Sequence, residues 1–290
     1  MDAVLQFAVN GIMIGGMYSL IALGIVLIYK SSKVFNFAVG EMVMLGAFFM
    51  WTFFDCLRLP LWASLLCTVL ASGFVGFIME RLAIHPLIGQ PLLSTILVTL
   101  GLADILNGLT MLFWGGASEK LTEFLPGKPV FLGNVILAHD LLWCFGIVLV
   151  FFLAVVLFYE KTSVGLAMRA VAESHHVAQA RGLNVGTIFG ITWFVAGMVA
   201  AVGGILLSYR VGVQQFLALI GLKAFPGILF GGLDSIGGAL LGGIIVGLTE
   251  NLVGGLIAPW LGEITPYIVL LLVLVIRPDG LFGLKRIERI

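Results

Sequence analysis

Long apolar stretches separated by short polar ones fill nearly the whole chain. Nine of them lie near residues 5–28, 37–54, 61–79, 92–114, 141–159, 187–209, 217–232, 236–256 and 264–276. An α-helix needs about 20 apolar residues to cross the hydrocarbon core of a bilayer. The pattern therefore predicts an all-α, polytopic transmembrane helical bundle of about eight to nine spans in a single domain over residues 1–290. The stretches at 37–54 and 217–232 open with polar or Gly/Pro-rich sequence, which predicts broken or half-length helices there.

One segment departs from this pattern. Residues 160–182, Glu-Lys-Thr-Ser-Val-Gly-Leu-Ala-Met-Arg-Ala-Val-Ala-Glu-Ser-His-His-Val-Ala-Gln-Ala-Arg-Gly, are polar and rich in helix formers. Thr162-Ser163 supply an N-cap region and Gly182 a stop, so the spacing predicts a short helix outside the bilayer. Leu166, Ala170 and Val177 form a partly apolar stripe on it, and Arg169 and Glu173 stand four apart, close enough to pair. Such a helix can dock into a groove of a partner, with affinity from the stripe and register from the charges.

Charge sets the expected orientation. Lys30, Lys33, Arg81, Lys161, Arg169, Arg181, Arg277, Lys285, Arg286 and Arg289 collect on one side, against Arg58, Lys120, Lys128, Arg210 and Lys223 on the other. The richer side is expected to be cytoplasmic. The N-terminus then lies outside, the C-terminus and residues 160–182 inside, and the span count is odd. The first residues carry no basic n-region, so no cleaved signal peptide is expected.

Composition narrows the function classes. The chain is 61% hydrophobic and 10% charged with a formal net charge of zero, which removes any nucleic-acid reading. Cys56, Cys67 and Cys144 have no metal or redox spacing. No HExxH, P-loop or GxSxG motif is present, so if ATP powers the protein, another subunit binds it. His175 and His176 point about 100° apart on a helix and are expected to be solvated.

Two features bear on transport. Glycines recur four apart at 11/15, 182/186/190, 238/242 and 243/247, a spacing that lets helix backbones approach closely in lipid. Polar residues also fall in or beside the apolar stretches: Glu41, Asp104, Asn107, Glu250 and Asn251. A charge at a helix centre costs about 2.5–3.5 kcal/mol, so such residues face a bundle interior or water. The interruptions at 29–41 and 225–238 form a pair of breaks, which suggests an inverted repeat around a central site. The second equally suits a plain cytoplasmic hairpin.

Four stretches carry a resemblance. They are Val34-Phe-Asn-Phe-Ala-Val-Gly-Glu-Met42; Glu80-Arg-Leu-Ala-Ile-His-Pro-Leu87; Thr162-Ser-Val-Gly-Leu-Ala-Met-Arg-Ala170 with Ala180-Arg-Gly-Leu183; and Gly231-Gly-Leu-Asp-Ser-Ile-Gly-Gly-Ala239 with Arg277-Pro-Asp-Gly-Leu-Phe-Gly283. The chain resembles the membrane permeases of bacterial branched-chain amino acid ABC importers, the high-affinity leucine/isoleucine/valine type. Ile84-His85-Pro86 stand where that family usually has Tyr-Arg-Pro, a departure that touches fine specificity.

The resemblance implies a non-enzymatic permease subunit in the bacterial inner membrane. Its partners would be a second homologous permease, two ATP-binding subunits, a periplasmic solute-binding protein and membrane lipid. This chain would bind no cofactor, and the partner ATPases would use ATP and Mg. The expected translocation path is Asn36, Glu41, Asp104, Asn107, Glu250 and Asn251. The expected ATPase contact, within a coupling segment of about 160–184, is Thr162, Gly165, Arg169, Ala170, Glu173 and Arg181. Two alternatives stand beside this reading: the same ABC role for urea, short amides or aromatic acids, and a secondary transporter driven by an ion gradient.

Overall fold

The computed structural model describes residues 2–132, 135–277 and 280–282. Its helices are α1 (Asp2–Ser32), α2 (Val39–Trp51), α3 (Leu61–Met79), α4 (Leu92–Trp114), α5 (His139–Lys161), α6 (Ser163–Glu173), α7 (His175–Ala180), α8 (Val185–Val211), α9 (Leu217–Leu222), α10 (Ala224–Gly231), α11 (Ile236–Leu256) and α12 (Pro259–Ile276). Two strands, β1 (Val130–Leu132) and β2 (Val135–Leu137), pair antiparallel in the loop before α5. Among the described residues eight helices are long and apolar enough to cross a membrane. The 37–54 stretch is one of them, because α2 continues through a π-helical turn at Thr52–Cys56. The 217–232 stretch is instead the short pair α9 and α10, broken at Lys223.

The chain divides into two compact units. Residues 1–26, 123–151 and 223–290 form a terminal unit, and residues 27–122 and 152–222 a central unit. Helices α1 and α5 contribute to both.

Two glycine seams build the terminal unit. The predicted pairs Gly11/Gly15 and Gly243/Gly247 lie against each other: a Cβ on Gly15 would stand 2.6 Å from Ile244 Cα, and one on Gly247 2.4 Å from Gly15 Cα. Ser19 Oγ donates to Leu240 O at 2.7 Å across the same contact. The second pair on α11, Gly238/Gly242, faces α10. A Cβ on Gly242 would meet Gly227 O at 1.9 Å, and one on Gly231 would meet Gly238 O at 2.0 Å. One helix thus presents two small-residue faces to two neighbours, and each contact is close enough that any side chain would push the backbones apart. The ends of the unit follow. Gly255, near the end of α11, abuts Phe7, whereas Leu281 N and Phe282 N donate to Phe230 O and Gly231 O beside its start. Residues 7 and 281 therefore lie at opposite ends of α11.

Helix α8 is the core of the central unit. Trp193 is fully buried on it, and its neighbours Gly197 and Gly204 sit against Ser72 O and Val43 O, where a Cβ would stand at 2.4 and 2.0 Å. Helix α9 packs on α2 in the same way, with Gly40 against Ala218 O. Gly186 and Gly190 on α8 receive His85 and Phe77. At the far end of α2, Trp114 Nε1 donates to Thr52 Oγ1 at 2.7 Å and Thr122 N donates to Asp55 Oδ1 at 3.3 Å. A bridge pairs Glu119 with Val213.

Candidate functional site

The predicted single helix at 160–182 is two. Helix α6 starts where Thr162 Oγ1 accepts from Gly165 N at 3.0 Å, as the N-cap reading anticipated. It ends at Ser174, which is extended (φ −159°, ψ 117°) and whose Oγ accepts from Val177 N at 3.3 Å to start α7. A serine hydroxyl can satisfy a free amide at a new helix start, and here it competes successfully with continued helix. Gly182 (φ +82°) ends α7, and Asn184 caps α8 through Thr187 N at 3.1 Å.

Anchors fix one face of this segment. Gly165 abuts the end of α5 so tightly that a Cβ would lie 2.1 Å from Tyr159 O. Arg169 donates to that same carbonyl and lies over the Tyr159 ring at 5.6 Å, so it is committed to α5 and not to the expected partner Glu173. Met168, Val171 and Ala178 are buried. His175 is not simply solvated as expected. Its Nε2 lies 3.2 Å from Ser31 O and its ring meets Phe189 edge-on at 5.3 Å. The opposite face is open: Leu166 and Val177 are each 60% exposed, and Ala170, Glu173 and Arg181 are exposed with them. The predicted apolar stripe is therefore presented outward.

The intramembrane polar residues fall into two groups. In the central unit Asn36 is fully buried; its Oδ1 accepts from Ala38 N at 3.0 Å and its Nδ2 contacts Met42 Sδ at 3.3 Å. That turn starts α2 and places Glu41 in the helix's first turn, buried, with Oε2 lacking a hydrogen-bond partner. Asp104 is exposed on α4 within electrostatic range of Glu41, and Asn107 is half-buried one turn further on.

In the terminal unit Glu250 accepts from Lys223 Nζ at 2.6 Å, and both side chains are 16% exposed. Asn251 Nδ2 donates to Gly247 O at 2.9 Å. Glu250 and Asn251 border a cavity of about 300 Å³ together with Tyr18, Glu263 and Pro259.

The sequence reading counted Lys223 with the cations of the exterior side and named no partner for it. It stands at the start of α10 and faces Glu250 across the unit. A lone lysine inside an apolar stretch was the available signal, since such a residue needs a partner. Sequence reasoning also passed over Glu80, wholly buried on the π-helical turn after α3 and 3.2 Å from His85 Nδ1. The C-terminal cations Lys285, Arg286 and Arg289, and Pro278, Asp279 and Gly283 of the last resemblance stretch, lie outside the described residues.

Comparison with known proteins settles the family. Residues 7–274 match the model of the branched-chain amino acid transport system permease component. The chain belongs to this permease family. It is 29% identical to the high-affinity branched-chain amino acid transport system permease protein BraD of Pseudomonas aeruginosa, over 99% of this chain and 98% of that one. It is 28% identical to LivH of Escherichia coli, similarly named, over 99% and 97%. It is 29% identical to a probable branched-chain amino acid transport permease protein LivH of Methanocaldococcus jannaschii, over 93% and 90%. This permease is accordingly a multi-pass membrane protein and a transport subunit, not in itself an enzyme.

Proposed function

We propose that this permease is the membrane-spanning subunit of an ATP-driven importer for branched-chain amino acids or related small polar solutes, working with a second, homologous permease in the bacterial inner membrane. A solute-binding protein delivers the solute outside, and two ATP-binding subunits supply the force inside. The observation that carries the reading is the outward face of α6 and α7, with Leu166, Ala170 and Val177 exposed on helices whose other face is pinned to the protein. Exposed apolar side chains on an anchored helix suit a groove on a partner. Glu173 and Arg181 give the contact its register. Thr162, Gly165 and Arg169 serve it indirectly, by building and holding the helix.

The orientation has support from the terminal unit. Residues 7 and 281 at opposite ends of α11 agree with an N-terminus outside and a C-terminus in the cytoplasm, the arrangement that results when the short pair α9 and α10 adds a ninth passage to the eight long helices. For the path itself we assign Glu41, Asp104, Asn107, Glu250 and Asn251 as lining groups. Asn36 shapes the turn that presents Glu41.

Uptake into sealed vesicles, with the ATP-binding subunits present, tests the assignment. Uptake should require ATP and persist with an uncoupler, and Leu166→Asp with Val177→Asp should release the ATP-binding subunits from the purified complex. Uptake that collapses with the uncoupler and ignores ATP would instead mark a secondary transporter.

A further inference from the structure

We infer that Tyr159 is the junction through which a push on the coupling helices reaches the membrane helices. This rests on reading α6 and α7 as the ATPase contact. Tyr159 lies near the end of α5 and is 3% exposed, so it cannot itself belong to a docking surface. Two cations attend its ring. Lys30 Nζ, in the last turn of α1, lies 5.3 Å from the ring centroid, and the Arg169 guanidinium, on α6, lies 5.6 Å from it. Cation–π attraction strengthens as the pair loses water, which suits a ring this deeply buried.

The backbone of the same residue is also engaged. Arg169 donates to Tyr159 O, and Gly165 abuts that oxygen. Helix α6 therefore cannot slide or roll on the end of α5 without moving Tyr159, and the ring hands that displacement to Lys30.

Helix α7 reaches the same place by another route. His175 Nε2 lies 3.2 Å from Ser31 O, one residue beyond Lys30. The two helices on either side of the Ser174 break thus lead to consecutive residues of the last turn of α1, α7 by direct contact with Ser31 and α6 through the Tyr159 ring to Lys30. Immediately beyond, the chain turns through Lys33 (φ +56°) and the Asn36 turn into α2 and Glu41. Packed elements of this kind shift between discrete arrangements and do not deform continuously, so a contact shared by α1, α5 and α6 is placed to move them together. Tyr159 is a positioning residue in this scheme, with no contact to solute or nucleotide.

The test uses the complete transporter in proteoliposomes and reads three quantities: ATP-binding subunits retained, ATP hydrolysed, and solute taken up per ATP. Tyr159→Leu should keep the subunits and the hydrolysis but lower uptake per ATP by about fivefold or more, the usual lower range of a coupling energy. Tyr159→Phe keeps the ring and should restore the wild-type ratio. Should Tyr159→Leu fail to fold, Arg169→Met removes the stack from the other partner and should lower the same ratio, with Arg169→Lys recovering part of it. Wild-type uptake per ATP in the Leu and Met variants would overturn the inference. So would equal damage from Phe and Leu, or loss of the ATP-binding subunits from Tyr159→Leu. A wild-type complex that recruits no ATP-binding subunit would overturn the reading of α6 and α7 itself, and the junction with it.

Discussion

Glu41 of the central unit and Glu250 of the terminal unit are both carboxylates set into apolar helices, yet different partners attend them. Glu41 sits in the first turn of α2, where free backbone N–H groups and the helix dipole favour negative charge. Its Oε2 has no hydrogen-bond partner. Glu250 lies well inside α11, beyond reach of either helix end, and takes the Lys223 ammonium at 2.6 Å. The difference teaches where stability and function separate. A carboxylate at a helix start with no ion pair among the described residues can change its surroundings during transport at little cost. One held by a half-buried cation cannot lose that cation without stranding a charge.

The largest test of the contrast is Lys223→Met. Breaking a fully buried pair by removing one partner costs about 3–5 kcal/mol, and replacing both with apolar groups is often neutral; this pair is 16% exposed on each side, so its loss should fall toward the lower end. Lys223→Met should therefore lower the urea midpoint of the detergent-solubilised permease strongly, and Lys223→Met with Glu250→Leu should regain most of the loss. A single variant as stable as wild type would show that the pair does not hold the terminal unit.

Next in size is Gly15→Leu. Forcing side chain into a packed contact costs about 1–3 kcal/mol, here by separating α1 from α11. The same change at Gly101, whose Cβ position is open, should be silent in the same unfolding curves.

Asn36→Ala should cost about 1 kcal/mol through the lost turn acceptor and should slow uptake by misplacing Glu41. Unaltered uptake would separate that turn from Glu41's role.

The smallest stability effect belongs to Glu41→Gln, which loses a helix-dipole interaction of about 0.3–1 kcal/mol and is expected to change uptake kinetics more than stability. Glu250→Gln strands the Lys223 ammonium and belongs in stability with Lys223→Met; it should also alter the transport rate, and unchanged kinetics in the assembled complex would leave Glu250 with a packing role alone.

Much of the fold was legible along the chain. The apolar stretches marked the eight long helices because in lipid every backbone polar group must be satisfied within the segment, which makes helix the default. The four-residue glycine spacings marked the α1–α11 and α10–α11 seams, although they did not say which pair meets which. Thr162 and Gly182 marked the limits of the coupling segment through local cap chemistry. The break at Ser174 was missed because Ser-His-His reads as ordinary helix surface. What accompanies the Ser174 cap there is a pair of long-range contacts of His175, with Ser31, more than 140 positions away, and with Phe189.

The candidate site was legible as a set of residue types and not as a set of contacts. Glu41, Glu250 and Asn251 stood out because charge and amide groups are rare in apolar stretches. Lys223 was counted only by membrane side, because positive-inside counting asks where a cation lies and not what it pairs with.

By itself, the sequence determined the helical membrane architecture, the family and the position of the polar helical segment at α6 and α7, since hydropathy, glycine spacing and capping are all local in the chain. Only the tertiary structure decided that Lys223 answers Glu250, that Arg169 turns to Tyr159 and away from Glu173, and that α7 meets the end of α1 directly while α6 reaches it through Tyr159. Each of those choices depends on distances between segments far apart in sequence, and burial decides them because an uncompensated charge away from water finds the nearest partner that packing allows.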